Sequence, residues 1–385
     1  MGKEYLYTIV INGDFAEPEH KFQYSYGSVK GICIQIANIK AKISFTMKTE
    51  KTYEDFCGLR VLAFKDAYLK VHMLSALLYG KGIAVKKLNI TINDSSRSVE
   101  LGQEDFPIVF SMLGERQLGI KAPWEAICKE YCFKTKTAIS EDHRFASLYA
   151  YLLSKVREFE YDRFQNLWTA INGLYTYVAE QYEKSLKEEF GLESVKEIRN
   201  DLLISSKDGL SIGALSYIIG GNYRKITPKD AEELRIPYLE TERILGKVEE
   251  ETISALYDEC LNALKKDSDK HSDIYRALKR IADCFEVPVY VYLLLGYPYH
   301  WRCKYLHGNY IAPLFVDYNS DELKCLRVLN YFMDKFLATE IPSVFEENYW
   351  DEDKYKAVLK MLEKCDGEAY KKYSKRDVTN KKKTK

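Results

Sequence analysis

Arg302 and His307 have residue types and a spacing suited to phosphate chemistry. They lie five positions apart in the stretch Arg-Cys-Lys-Tyr-Leu-His-Gly over 302–308. An imidazole transfers protons near neutral pH, and a guanidinium binds phosphodiester oxygens while staying charged. The pair therefore predicts a site that acts on a phosphodiester.

Aromatic and basic residues surround this pair. His300, Trp301, Lys304 and Tyr305 combine rings that stack on unpaired bases with cations that bind phosphates. We take these four as the candidate RNA-binding residues. Packing beneath a following helix explains the rings equally well. The arginine of the pair also has a structural alternative as a helix cap or a carboxylate partner, and the histidine has one in a core or turn position.

Two amphipathic helices must hold such a site. The first is predicted within Phe145–Leu186, where apolar residues recur at helical spacing: Phe164, Leu167, Trp168, Ile171, Leu174, Tyr175 and Val178. Asn172, next to Ile171, is a candidate to orient the arginine or the phosphate. The second helix follows the pair, with Asn319 and Glu322 as a capping-box-like start and Pro342 as its stop. Its apolar positions are Leu323, Leu326, Leu329, Met333, Phe336 and Leu337.

The first 135 residues have a different pattern and predict a mixed α/β domain. A helix is expected over about Tyr53–Leu78. Strand-like alternation marks Tyr5–Asn12, Phe22–Tyr26, Ile32–Thr46 and Val85–Ile92. The fold class predicted for the whole chain is α+β.

Residues 140–345 resemble HEPN domains, which are helical modules that often cleave RNA without a metal. The resemblance rests on the Arg-x4-His spacing, on the His-Gly dipeptide, and on the aromatic stripe over 164–175. It is nearest in character to the abortive-infection, ApeA-like group, whose members carry a separate N-terminal domain. The resemblance implies an all-α bundle with a long insertion at about 187–275. Residues 346–385 would form a charged C-terminal segment and a basic tail.

The resemblance also implies a function. Arg302 and His307, assisted by Asn172, would cleave RNA through attack by its 2′-OH, without a metal or another cofactor. RNA would be the substrate, and two protomers would dimerise through the HEPN domain. The setting would be prokaryotic antiviral defence or a toxin system. Residues 1–135 would sense or regulate, with a trigger ligand or a phage protein as their partner.

Cys303 departs from the family pattern, because many active members have Asn, Asp or His after the motif arginine. This leaves an alternative in which the chain is a catalytically inactive HEPN-like module that binds RNA or a nucleotide, or dimerises.

Composition restricts the remaining possibilities. Lys+Arg and Asp+Glu both number 57, so nucleic-acid binding would need a local basic patch. The nine cysteines form no disulfide framework and predict reduced thiols. Cys128 and Cys132 are expected to be buried rather than zinc ligands.

The sequence has no apolar run of membrane-spanning length, so we expect a cytoplasmic protein with no membrane partner.

Overall fold

The computed structural model describes residues 3–12, 19–26, 29–37, 40–49, 62–82, 87–92, 95–99, 117–120, 122–134, 136–190, 214, 217–218 and 321–360. The chain divides into two compact units, residues 1–145 and 146–385. The first contains an antiparallel sheet with helices, and the described part of the second is helical. The α+β fold class is therefore confirmed.

The sheet of the first unit has six strands. Their spatial order is β2-β3-β4-β1-β5-β6, and every neighbouring pair is antiparallel. The strands are β1 Lys3–Asn12, β2 His20–Tyr26, β3 Val29–Ala37, β4 Lys40–Thr49, β5 Lys87–Ile92 and β6 Ser95–Val99.

Helices cover one face of this sheet. Helix α1, Leu62–Tyr79, packs on β3 and β4, and α2, Glu125–Phe133, packs on β2. Apolar strand residues alternate towards these helices because successive side chains point to opposite faces. The buried ones include Tyr24, Ile32, Ile34, Ile36, Ala41 and Ile43. A short helix α3, Lys136–Glu141, follows α2.

Most of the elements predicted for this region are confirmed, with shifted boundaries. The predicted strand over Ile32–Thr46 is two strands, because the chain reverses between Ala37 and Lys40. Only 62–78 of the predicted helix Tyr53–Leu78 lies in the described residues, and that part is helical. Strand β6 was not predicted from the sequence.

The second unit is built around two long helices. Helix α4, His143–Ser154, begins just before the unit boundary and precedes α5, Glu160–Phe190, while α6 spans Asp321–Ser343. The stripe predicted for α5 is confirmed as its buried side, because Phe164, Leu167 and Ile171 are buried. Burying each such side chain contributes about 1.5–3 kcal/mol.

Two predicted features of these helices need correction. The segment Phe145–Leu186 is two helices, because the backbone leaves helical geometry over 155–159. Pro342 lies inside the last turn of α6, which ends at Ser343. Proline has no backbone N–H for the carbonyl four residues earlier, which fits a helix that ends one residue after it. The predicted capping residue Asn319 lies outside the described residues.

Tyrosines contribute heavily to the cores of both units. In the first unit Tyr24, Tyr68 and Tyr131 are buried, and in the second Tyr151, Tyr182, Tyr217 and Tyr355 are among the largest side chains that are fully buried. The high tyrosine count of 31 thus reflects packing at these positions. None of the helices in the described part of the chain is long and apolar enough to cross a bilayer.

Candidate functional site

Most of the predicted site lies outside the described residues. This holds for both members of the catalytic pair, Arg302 and His307. It also holds for the candidate RNA-binding residues His300, Trp301, Lys304 and Tyr305. The structure does describe Asn172 and the two helices expected to hold the site.

Asn172 lies on the solvent side of α5. Its side chain is exposed, whereas the neighbouring Ile171 is buried. Its backbone carbonyl accepts a hydrogen bond of 2.8 Å from the Thr176 hydroxyl, four residues later. The Asn172 amide is therefore accessible to a ligand rather than part of the core.

Helices α5 and α6 pack against each other. Residues further along α5 contact residues further along α6. Asn330 bonds to Glu160, and Asp334 bonds to Arg163. Beyond α6, the ring of Tyr355 lies 5.4 Å from that of Tyr182. The two helices are therefore parallel neighbours, and the start of α6 lies towards the start of α5.

Asp334 is the centre of a polar cluster between these helices. Its carboxylate forms ion pairs with Lys155, in the turn before α5, and with Arg163 of α5 at 3.1 Å. The Lys155 ammonium also lies 4.6 Å from the centre of the Tyr151 ring. Lys155 is only 7% exposed, so most of its charge is compensated by protein rather than by water.

Asn330 completes this cluster at the first turn of α5. Its side chain is fully buried and donates to the Glu160 backbone carbonyl at 2.8 Å and to the Glu160 carboxylate at 2.7 Å. Burial raises the pKa of nearby Tyr151, and the Asp334 charge adds to that shift. We call Lys155, Glu160, Arg163, Asn330 and Asp334 the helix-junction cluster.

The helix-junction cluster was not predicted from the sequence. One signal was available, because Asn330 follows Leu329 on the apolar side of α6. An amide at such a position implies a buried hydrogen-bond partner. The partner itself was not predictable, since Glu160 lies 170 residues away.

An aromatic cluster occupies the region beyond α6. Trp350 stacks on the ring of Tyr217, with ring centres 4.2 Å apart and an interplanar angle of 16°. The Lys354 ammonium also lies over the Tyr217 ring, 4.4 Å from its centre. The Tyr217 hydroxyl donates to the Tyr349 carbonyl at 2.7 Å and accepts from the Asp351 amide at 2.5 Å. Tyr217, which lies within the predicted insertion, is thereby tied to the segment after α6.

Glu340 and Lys354 in this region are both shifted towards their neutral forms. Burial raises the Glu340 pKa to about 7, and the positive charge of Lys354 opposes that shift. Burial also lowers the Lys354 pKa, against the charges of Glu340 and Asp351. Glu340 thus titrates in the range where proton-transfer groups work, but it lies among packing aromatics.

The first unit also buries charged groups. Lys70 is 3% exposed, pairs with Asp66 at 3.3 Å, and lies 4.4 Å from the Tyr24 ring centre. Burial lowers the pKa of His72 to about 4, so this histidine is neutral at physiological pH. Lys70 and Asp66 compensate each other's charge, and the His72 ring packs edge-on against Tyr68 with ring centres 4.8 Å apart.

The prediction of buried thiols is confirmed. Cys128 and Cys132 are both buried on α2. Burial raises the pKa of both thiols, that of Cys132 to about 12. Across the described residues no group of His, Cys, Asp and Glu has the arrangement of a metal site. The acidic residues at 346–347 and 351–353 are exposed, as expected for a charged surface segment.

The chain matches no family model, no curated protein and no solved structure. Its function must therefore be inferred from its own residues and their geometry.

Proposed function

We propose that the chain is a metal-independent endoribonuclease of the HEPN type, acting in prokaryotic antiviral defence or as a toxin. The observation that carries this proposal is the Arg302/His307 pair placed shortly before α6. Its support from the structure is the parallel packing of α6 on α5, fixed by the helix-junction cluster. The cluster fixes where Asn330 and Asp334 of α6 lie against the start of α5.

The proposed reaction is an internal transesterification. The 2′-oxygen of a ribose attacks the adjacent phosphorus, and the bond to the 5′-oxygen of the next nucleotide breaks. His307 accepts the proton of the 2′-OH or donates one to the leaving 5′-oxygen, roles that suit an unperturbed pKa near ~6.5. Arg302 stabilises the charge that grows on the phosphorane. The products are a 2′,3′-cyclic phosphate and a 5′-OH.

Other residues have supporting roles in this proposal. Asn172 is exposed and would orient the phosphate or the arginine. His300, Trp301, Lys304 and Tyr305 would bind flanking nucleotides by stacking and by phosphate contact. A homodimer would supply a second histidine, so that one acts as base and the other as acid. Residues 1–135 would sense a trigger or restrain the nuclease.

Cys303 favours a second function, that of an inactive HEPN-like module which binds RNA or a nucleotide. A thiol replaces the polar side chain found after the arginine in many active members. In this alternative the Arg302/His307 pair binds a phosphate without cleaving it. Cleavage by Cys303→Asn, together with no cleavage by the wild type, would favour the module.

The deciding experiment uses purified wild type and His307→Ala with total RNA and with a structured RNA, in EDTA. We expect fragments with 2′,3′-cyclic phosphate ends from the wild type and none from the variant. Circular dichroism spectra of the two proteins should agree, so that loss of activity is not loss of fold. Equal cleavage by both, in nuclease-free preparations, would refute the proposal.

A further inference from the structure

On strands β2, β3 and β4 one face of the sheet is covered by helices, and the other, which we call the open face, has exposed side chains. Residues on the covered face, such as Ile34 and Ile43, are fully buried. The alternate residues Lys21, Gln23 and Lys42 are exposed. Antiparallel sheets commonly leave one face to solvent, so openness alone does not indicate a partner. The side chains on that face indicate the chemistry of the partner it would bind.

Strand pairing aligns the open-face residues in rows. One row runs Lys21, Gln35, Lys42 and Val10 across β2, β3, β4 and β1. The next row is Gln23, Cys33, Ser44 and Thr8. Lys21 and Lys42 are separated by two strand spacings, or about 10 Å. The face therefore presents two cations with amide and hydroxyl groups between and beside them.

The charge of this face is biased although the chain is neutral overall. The acid at its edge, Glu19, accepts a hydrogen bond of 2.5 Å from the Gln35 amide. Among the exposed residues described on this face, the two lysines Lys21 and Lys42 outnumber this one acid. A surface on which lysines outnumber acids attracts a polyanion.

From this charge bias we infer that the open face of the sheet binds folded RNA through its phosphates. Lysines with neighbouring amides and hydroxyls make the contacts that proteins use on a nucleic-acid backbone. The exposed residues described on this face include no aromatic ring, so stacking on unpaired bases is not its mode. The choice of RNA among polyanions rests on the proposed function, and the face would hold the substrate in addition to the Arg302/His307 site.

The test measures binding separately from cleavage. The full chain carrying His307→Ala is titrated into a fluorescein-labelled hairpin RNA, with anisotropy read over a range of salt concentrations. The same measurement is made on a strand variant of this protein that also carries Lys21→Gln and Lys42→Gln. A matched control adds Lys184→Gln and Lys356→Gln, which remove the same charge from lysines that are 71% and 52% exposed on helices.

We expect the strand variant to bind several-fold more weakly at low salt. Its plot of log affinity against log salt should be shallower by about 2, because each lost phosphate contact removes about 0.9. The control should keep the parent slope. Equal slopes for both variants, or no RNA binding by the parent, would overturn the inference.

A titration with polyglutamate tests whether the partner of this face is instead an acidic protein. If the strand variant loses polyglutamate binding but keeps RNA binding, the face binds acidic proteins and the inference is wrong. The cleavage assay with His307→Ala remains independent, because it can succeed or fail whatever the sheet binds.

Discussion

The buried amide of Asn330 donates both to the carbonyl and to the carboxylate of Glu160, at 2.8 and 2.7 Å. One side chain of α6 thereby fixes both the backbone and the side chain at the start of α5. Hydrogen bonds of this kind require a defined relative position of the two helices. The register between the two long helices of the second unit is therefore set by polar contacts as well as by apolar packing.

Replacing Asn330 with alanine should destabilise the protein by about 1–3 kcal/mol, because the variant leaves the Glu160 carboxylate without its buried donor. The measurement is urea denaturation followed by circular dichroism. Asn172→Ala is the matched control, since Asn172 is an exposed asparagine on a helix. It should change the free energy of unfolding by less than about 0.5 kcal/mol. Equal effects of the two substitutions would contradict the role given to Asn330.

Asp334→Asn should cost more, on the order of 3 kcal/mol, because it leaves the mostly buried Lys155 ammonium without its charged partner. The Lys155–Asp334 pair should also resist screening, so the cost should persist at high salt. Glu188→Gln removes an exposed partner of Lys184 in a helix and should be nearly neutral. The comparison is made by denaturation at low and at high salt. A loss for Asp334→Asn that disappears with salt would show that the pair is solvated.

Particular residues show what the sequence could predict. Alternation in Tyr5–Asn12 and the stripe from Phe164 to Val178 predicted a strand and a helix, because burial of one face imposes a period. The split of Ile32–Thr46 was missed, since the apolar alternation of the sequence continues on both sides of residues 38–39. Asn330 was missed for another reason: its partner is distant in sequence, and spacing carries no information about such pairs.

The candidate site likewise has parts that the sequence could indicate and parts that it could not. Local spacing selected Arg302 and His307 as candidates, which lie outside the described residues, and Asn172, whose side chain is exposed on α5. Local spacing could not show that Tyr217, inside the predicted insertion, contacts Tyr349 and Trp350. Contacts across more than a hundred residues depend on the complete fold.

Tyr217→Phe should lower stability by about 1–2 kcal/mol, because it removes the hydroxyl that joins the Tyr349 carbonyl to the Asp351 amide. The stack with Trp350 should persist, so the tryptophan emission of the native state should change little. Tyr217→Ala should both cost more and shift that emission, since it removes the ring as well. A Phe variant as stable as the wild type would show that water replaces the hydroxyl.

Native-state thiol labelling should separate the three cysteines that the structure describes, Cys33, Cys128 and Cys132 of the first unit. Cys33 is partly exposed on the open sheet face, whereas Cys128 and Cys132 are buried with raised thiol pKa values. The thiolate is the reactive form, so iodoacetamide at pH 8 should modify Cys33 first. Peptide mass spectrometry after a short exposure reads the order. Labelling of all three at one rate would indicate that α2 detaches from the sheet.

Glu340 should make stability depend on pH. Burial raises the pKa of this carboxyl from 4.5 to about 7, against the charge of Lys354, so the native state holds a proton that the unfolded chain releases earlier. The resulting stabilisation is complete below about pH 4.5 and is lost as the pH rises towards 7. Glutamine keeps the neutral form, so Glu340→Gln should match the wild type near pH 4 and exceed it at pH 8.5 by roughly 1–3 kcal/mol. The measurement is thermal unfolding across this range, with exposed Glu346→Gln as the control. Because Glu346 is exposed, its variant should have the stability of the wild type at every pH. If the Glu340 variant also does so, ionising Glu340 does not destabilise the native state.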